Sequence, residues 1–382
     1  MTSPSDPIAA VTHPDPYPFY ADLVAHRPLY RDEALRLWVA TSAAAVIAVL
    51  TSDLGRVRPL TEPVPAALLG SPAGEIFRHL VRMNDGPGHC PFKQAVSATL
   101  DSVDPALAAA RSREWAARIA VEPLADFAFH LPVYVTASLL GVPDGDLYQT
   151  ALRVSDLVAS FAPGAGPESL ARGKMAAGHL LEFFRGLLSE PAPSGLLGAL
   201  GAEARRVGRE DHDVIAANAI GFLFQSHDAT AGLIGNTLVT LASHPDVLAK
   251  VTADRGLLPQ LLQEVLRFDP SVQNTRRFIA RDGVVAGETM KEGDAILVVL
   301  AAANRDPAAN PRPDRFELHR QDRQIFTFGA GIHACPGEAI ATTIAQAGID
   351  RLIDSRFDLQ RFLAARVYRP SGNVRMPFGH LH

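Results

Sequence analysis

A single cysteine in a glycine-hinged loop, Phe328-Gly329-Ala330-Gly331-Ile332-His333-Ala334-Cys335-Pro336-Gly337, is the stretch of this chain best equipped for chemistry. Two glycines one residue apart permit positive φ and a close approach of backbone to a flat ligand. Pro336 suits the first position of a helix continued by Ala339-Ile340-Ala341 and Ile344-Ala345-Gln346-Ala347, which predicts Cys335 at that helix's N-terminal end. The dipole there favours a thiolate by about 0.3–1 kcal/mol. A sheltered thiolate is a soft, electron-donating metal ligand, and haem iron is one centre held by a single cysteine. A small buried cysteine beside a turn is the competing reading.

Two other places carry polar groups where they are costly. A proline-free stretch from about Asp213 to Ala242 is apolar on nearly all sides, which predicts a helix buried through the middle of the protein. Gln225-Ser226-His227-Asp228 and Thr230 interrupt it at its centre, with no flanking basic or aromatic belt, so a membrane span is excluded. Polar groups inside a buried helix must be paired or used. In Glu264-Val265-Leu266-Arg267, opposite charges three apart share a helical face beside Leu261, Leu262, Val265 and Leu266. Such a pair contributes little at a surface.

The elements that position these groups are mainly helical. Amphipathic or Ala-rich patterns predict helices at Phe19–His26, from Ser42 as a cap to about Leu50, and at Pro105–Ile119, Leu131–Leu140, Asp146–Phe161 and Ser169–Leu188. Leu139-Leu140-Gly141-Val142-Pro143-Asp144 is a helix stop. Strands are expected at Leu35–Val39, Val272–Ile279 and Ala295–Leu300. The irregular, Pro-rich stretch Arg58–Ser71 reads as a long loop that lines a pocket. Asp85-Gly86-Pro87-Gly88-His89 is a turn, with Pro91 placed to open the next helix.

The 382 residues form one domain by this reading, since no linker, repeat or low-complexity tract divides them. A net charge of −5 without basic runs argues against nucleic acid or an anionic membrane as partner. Two cysteines, Cys90 and Cys335, allow at most one disulfide, which fits a reducing cytoplasm. The N-terminal residues carry neither a signal peptide nor an apolar anchor.

Phe-Gly-x-Gly-x-His-x-Cys-x-Gly is met at every fixed position of the 328–337 loop, and it resembles the haem-binding loop of the cytochrome P450 family, soluble bacterial type. The resemblance implies a mainly α fold with a small β region, a triangular helical prism with a long central helix over haem b (iron protoporphyrin IX). It implies Cys335 as the axial ligand, with Phe328, Gly329 and Gly337 in its loop. His89, Lys93, Arg277 and His333 would hold the propionates. Lys93 stands where the family usually has arginine, so it would act as a point charge. Glu264 and Arg267 correspond to a buried network beneath the haem, assisted by Pro313-Asp314-Arg315-Phe316. Gly-His-acid-Thr-Thr of the family aligns with Ser226 to Thr230: Asp228 keeps the proton-delivering acid, Ala229 stands in place of the relaying threonine, and Thr230 points about 100° away in a regular helix.

What the resemblance implies for function is O2- and electron-dependent hydroxylation of a small or medium natural-product intermediate, with a ferredoxin and ferredoxin reductase as donors. No flavin or NAD fingerprint is present in the chain itself. Oxidative coupling or cyclisation of aromatic rings without oxygen insertion is the alternative, and a non-catalytic haem sensor a second. The candidate substrate pocket includes Gln225, Asn274 and Asn373, with the loop Ala162–Glu168 as a lid.

Overall fold

The computed structural model describes residues 3–86, 89–162 and 164–378, without the side chains of His89 and Cys90. The expected turn at Pro87-Gly88, the His89 and Cys90 side chains and Pro163 of the expected lid therefore lie outside the described residues. Helix α1 (Tyr17–His26) leads into a hairpin of β1 (Leu29–Asp32) and β2 (Leu37–Ala40). Helix α2 (Ala43–Thr51) starts where its cap predicts, with the Ser42 hydroxyl accepting from the Ala45 N–H at 3.2 Å. After β3 (Gly55–Arg56), residues 57–71 hold only a short 3₁₀ turn before α3 (Pro72–His79). The helical bulk is α4 (His89–Asp101), α5 (Pro105–Arg118), α6 (Leu124–Leu140), α7 (Leu147–Ser160), α8 (Pro167–Leu188) and α9 (Gly195–Arg206). Of these, α6, α7, α8 and α9 pack against α10 (His212–Ser243), the expected central helix. The chain continues through α11 (Pro245–Ala253), α12 (Leu258–Phe268), β4 (Thr275–Ile279), β5 (Gly283–Val285), β6 (Glu288–Met290), β7 (Ala295–Val298), α13 (Leu300–Asn304), α14 (Glu338–Asp354) and α15 (Leu359–Ala365).

Three boundaries differ from the sequence expectation, each for a physical reason. Helix α6 begins at Leu124, seven residues before the expected start, and carries Pro132 inside it. Phe127, Ala128, Leu131 and Val135 are fully buried, so packing outweighs the hydrogen bond the proline cannot make. The run after β7 turns at Val299 into α13, because its alanines pack helically against α1 and α2. Helix α14 starts at Glu338 with Gly337 as its cap, so Pro336 is outside the helix and Cys335 stands three residues before its first turn.

The strands form a five-stranded sheet in the order β1-β2-β7-β4-β3, in which only the β2–β7 pair is parallel. Register puts Arg277 opposite Ile296 with its side chain buried, while Arg276 is exposed. No helix among the described residues is long and apolar enough to cross a membrane.

Helix α10 is capped by Asp211, whose carboxylate accepts from the Asp213 and Val214 N–H groups. Its C-terminal half carries Gly232 and Gly235, where a Cβ would stand 2.7 Å from the Arg375 carbonyl oxygen and from Phe378 and Pro377 respectively. The chain from Val374 to Phe378 can therefore lie directly on the helix. Arg375 pins that segment: its buried guanidinium donates to Asp269 at 2.9 Å and to the carbonyls of Val11, His13 and Pro14. Gly235→Ala is expected to cost about 1–3 kcal/mol by overpacking. Gly186→Ala in α8, where a Cβ would meet nothing within 4 Å, is expected to stabilise by about 0.4–1 kcal/mol. Urea midpoints of the two variants check both signs.

Candidate functional site

The cysteine loop is built by backbone geometry. Gly329 and Gly331 have φ of +71° and +70°, and a Cβ at Gly331 would come 2.9 Å from the Leu50 carbonyl oxygen at the end of α2. The Cys335 N–H closes the loop on the Phe328 carbonyl at 2.9 Å. The Cys335 sulfur is exposed and accepts from the Gly337 N–H at 3.4 Å. Phe328 is half-buried against the main core.

Below the loop lies a buried charge network that sequence spacing shows only in part. Glu264 and Arg267 are both 0% exposed and form the expected pair, with Arg267 Nη2 donating to Glu264 at 2.7 Å. Glu264 also accepts from Arg320 Nε at 3.1 Å, Arg323 Nε at 2.8 Å and the Glu317 N–H at 3.0 Å. Arg315 joins the network through its carbonyl oxygen, which accepts from Arg267 at 2.9 Å, while its side chain is exposed. Arg320 and Arg323 supply further guanidiniums that were not expected. Their sequence neighbourhood, rich in other charges, gave no signal that separated them. Burial alone would raise the Glu264 carboxyl, but bonds from Arg267, Arg323 and the Glu317 N–H hold it below the usual range. The network reaches the cysteine loop through Leu266, whose carbonyl accepts from Thr327 at 2.7 Å and Asn304 at 3.0 Å. Asn304 in turn accepts from the Phe326 N–H at 2.7 Å.

Cations converge on the other side of the loop. Lys93 donates to the Ala334 carbonyl at 2.8 Å. Arg82, which the sequence reading missed, is exposed and lies near enough to Cys335 for their charges to interact. Desolvation lowers the pKa of Arg82, Lys93 and Arg277; Cys335 draws the first two back up, and Asp85 does so for Arg277. Among the described residues none of the three has a carboxylate within 4 Å. Cations with no carboxylate in pairing distance beside an exposed thiol fit a flat metal complex that brings its own two carboxylates, so the residues present match haem. His333 Nε2 lies 2.9 Å from an Asp85 oxygen.

Within the middle turns of α10, Phe222, Phe224, Gln225, Ser226, Asp228 and Ala229 are half-buried. Among them, Phe222, Gln225, Ser226 and Ala229 fall at i, i+3, i+4 and i+7, one accessible strip along the helix. Asp228 borders it, 27% exposed, and is held by His227 Nδ1 at 2.8 Å; His227 is 3% exposed, stacks on Phe129 and meets the Ser155 hydroxyl at 3.0 Å. Thr230 is off the strip, 1% exposed, and its hydroxyl has no hydrogen-bond partner among the described residues. The helix is regular here, so no bulge turns Thr230 into Ala229's place. Asn274 is buried and donates to the Gly372 carbonyl at 2.9 Å, and Asn373 meets the neighbouring strand through its own carbonyl, which accepts from Gln273 at 2.8 Å. The Asn274 amide is thereby committed to the backbone of the returning chain.

Glu264→Gln, which leaves Arg267 and two further guanidiniums with a neutral partner, is expected to cost about 3–5 kcal/mol in equilibrium denaturation. Asp85 carries a pH signature. Burial pushes its carboxyl up, but bonds from His333 and the Val57 N–H outweigh this and hold it low. A lowered native pKa stabilises above the unfolded value of about 4 and is lost as pH falls through the native value. The stability gap between wild type and Asp85→Asn should therefore be full at neutral pH and close on acidification.

Comparison with known proteins places this geometry. Residues 196–362 match the family model described as Cytochrome P450. The chain is 34% identical over 258 residues to the vitamin D(3) 25-hydroxylase of Pseudonocardia autotrophica, covering 67% of this chain and 63% of that protein. It is 33% identical over 238 residues to cytochrome P450 133B1 of Xylella fastidiosa, covering 61% of this chain and 59% of that protein's length. Over 98% of this chain and 96% of the other, the fold superposes with a TM-score of 0.82 and 26% identity on P450 RauA complexed with a biosynthetic intermediate of aurachin RE. With sequence and fold in agreement, the chain belongs to the cytochrome P450 family, whose members carry haem b.

Proposed function

We propose that this protein is a haem-thiolate monooxygenase that hydroxylates a small or medium natural-product intermediate, using O2 and electrons from a ferredoxin and its reductase. The observation that carries the reading is the exposed Cys335 thiol, set in a loop whose Ala334 carbonyl accepts from Lys93 and whose sulfur is near enough to Arg82 for their charges to interact. Haem held by such a thiolate supplies oxygen activation. Cys335 would be the axial ligand, and Arg82, Lys93 and Arg277 would take the propionates. The similarity to a vitamin D(3) hydroxylase and to a P450 complexed with a biosynthetic intermediate supports an organic substrate of that size.

Asp228 would hold and release the proton that oxygen chemistry consumes. Its carboxylate borders the accessible strip and is anchored from behind by His227. Ala229 leaves the strip without a hydroxyl at that turn, and this favours a second reading in which the enzyme couples or cyclises aromatic rings without inserting oxygen.

Reduced protein under carbon monoxide is expected to show the long-wavelength thiolate band, and Cys335→Ser to lack it; a wild type without the band refutes the assignment. Asp228→Asn is expected to lower O2-driven turnover by roughly 10²-fold or more while sparing peroxide-driven turnover. Equal loss in both assays, or none, removes the proton-delivery role. Ala229→Thr should raise the yield of product per electron if the missing hydroxyl limits the reaction.

A further inference from the structure

The accessible strip of α10 is flanked by phenyl rings. Phe222 and Phe224 lie on the helix, Phe77 comes from α3 and Phe161 caps α7; all four are half-buried. Phe161 meets Phe77 edge-on at 6.0 Å and Phe224 edge-on at 5.6 Å. Three elements distant in sequence thus present aromatic edges to one region of the central helix.

In this apolar setting one polar atom is both fixed and unmatched. Gln225 Nε2 donates to the Gly221 carbonyl at 2.8 Å, one turn back along α10. Gly221 makes room for that bond: a Cβ there would stand 3.2 Å from Gln225 Nε2 and 2.8 Å from Leu80 Cδ2. With its nitrogen tied to the helix, the amide cannot exchange its ends without losing the bond. Its oxygen Oε1 accepts from no described residue, and the side chain is only partly buried, on the same face as Ala229 one turn on. A half-buried acceptor held in place discriminates between ligands, since one that covers it without a donor makes it forfeit its hydrogen bond to water.

We propose that Gln225 is a specificity-determining residue: its Oε1 accepts a hydrogen bond from a hydroxyl or N–H of a predominantly apolar, aromatic-compatible substrate lying along the strip. This rests on the haem-thiolate reading, because the strip is taken as the substrate side of the cofactor. It accounts for a polar side chain that Asp228 does not touch, and it selects ligands with a donor over their capped counterparts.

The test uses the ferric holoenzyme and follows the Soret shift as ligands bind. The probes are matched pairs, 4-phenylphenol with 4-methoxybiphenyl and 2-naphthol with 2-methoxynaphthalene. Wild type is expected to bind the hydroxyl member of each pair roughly fivefold more tightly, the value of one net hydrogen bond. Gln225→Met, which keeps the length and removes the acceptor, should abolish the preference by weakening the hydroxyl ligand alone. Gly221→Ala, which crowds the amide, should reduce it while leaving Gln225 in the chain. Equal affinities within the pairs in wild type, an undiminished preference in Gln225→Met, or no response to any pair in protein that still binds imidazole would each overturn the proposal. Protein that shows neither an imidazole shift nor the carbon monoxide band would instead overturn the haem-thiolate reading. An intact carbon monoxide band in Gln225→Met separates a lost contact from a lost fold.

Discussion

One buried carboxylate organises the floor of this protein. Glu264 is sealed from solvent and accepts from three guanidiniums and a backbone N–H, so its negative charge is spread over partners from α12 and from the stretch 317–323. An ion in that position would be ruinous if any partner were loose, because the protein interior screens it poorly. Satisfied on all sides, it draws an irregular segment into one conformation. That segment ends in the cysteine loop, and the links through Leu266, Thr327 and Asn304 carry the constraint to it. The loop thus inherits its shape from charge pairing several residues away as well as from its two positive-φ glycines.

Above the loop the logic is reversed. Among the described residues Arg82, Lys93 and Arg277 have no carboxylate within 4 Å, and Arg82 and Lys93 sit near a sulfur, which is unfavourable for a protein on its own and favourable once an anionic ligand arrives. The central helix completes the arrangement. Packing buries it on almost every side, which gives it rigidity, and one strip remains open where chemistry would occur.

Much of this was legible in the chain. The cysteine loop and the Glu264–Arg267 pair are short-range patterns, and their geometry follows from helix periodicity and glycine conformation. Ser42 and Gly141 mark helix ends through a local hydrogen bond or a positive φ, and local signals of that kind survive folding. What escaped was decided by partners far along the chain. Arg320 and Arg323 meet Glu264 across separations of 56 and 59 residues, and Asp85 meets His333 across 248. No window contains both ends of such a contact. Arg82 was missed for the same reason, and the start of α6 because a proline that usually opens a helix sits inside one whose burial overrides it. The amide of Asn274, expected near substrate, is committed to the backbone of the returning chain.

The half-buried strip on α10 also bears on how such a protein can change. Glu264, Arg267 and the residues that tie them to the cysteine loop contribute to stability through full burial, whereas Phe222, Gln225, Ser226 and Ala229 keep part of their surface exposed and make fewer of the contacts that hold the fold. Substitutions on the strip therefore draw little on the margin by which the fold survives. Lineages descended from this chain can explore new substrates there, one side chain at a time, without first acquiring compensating changes in the floor beneath.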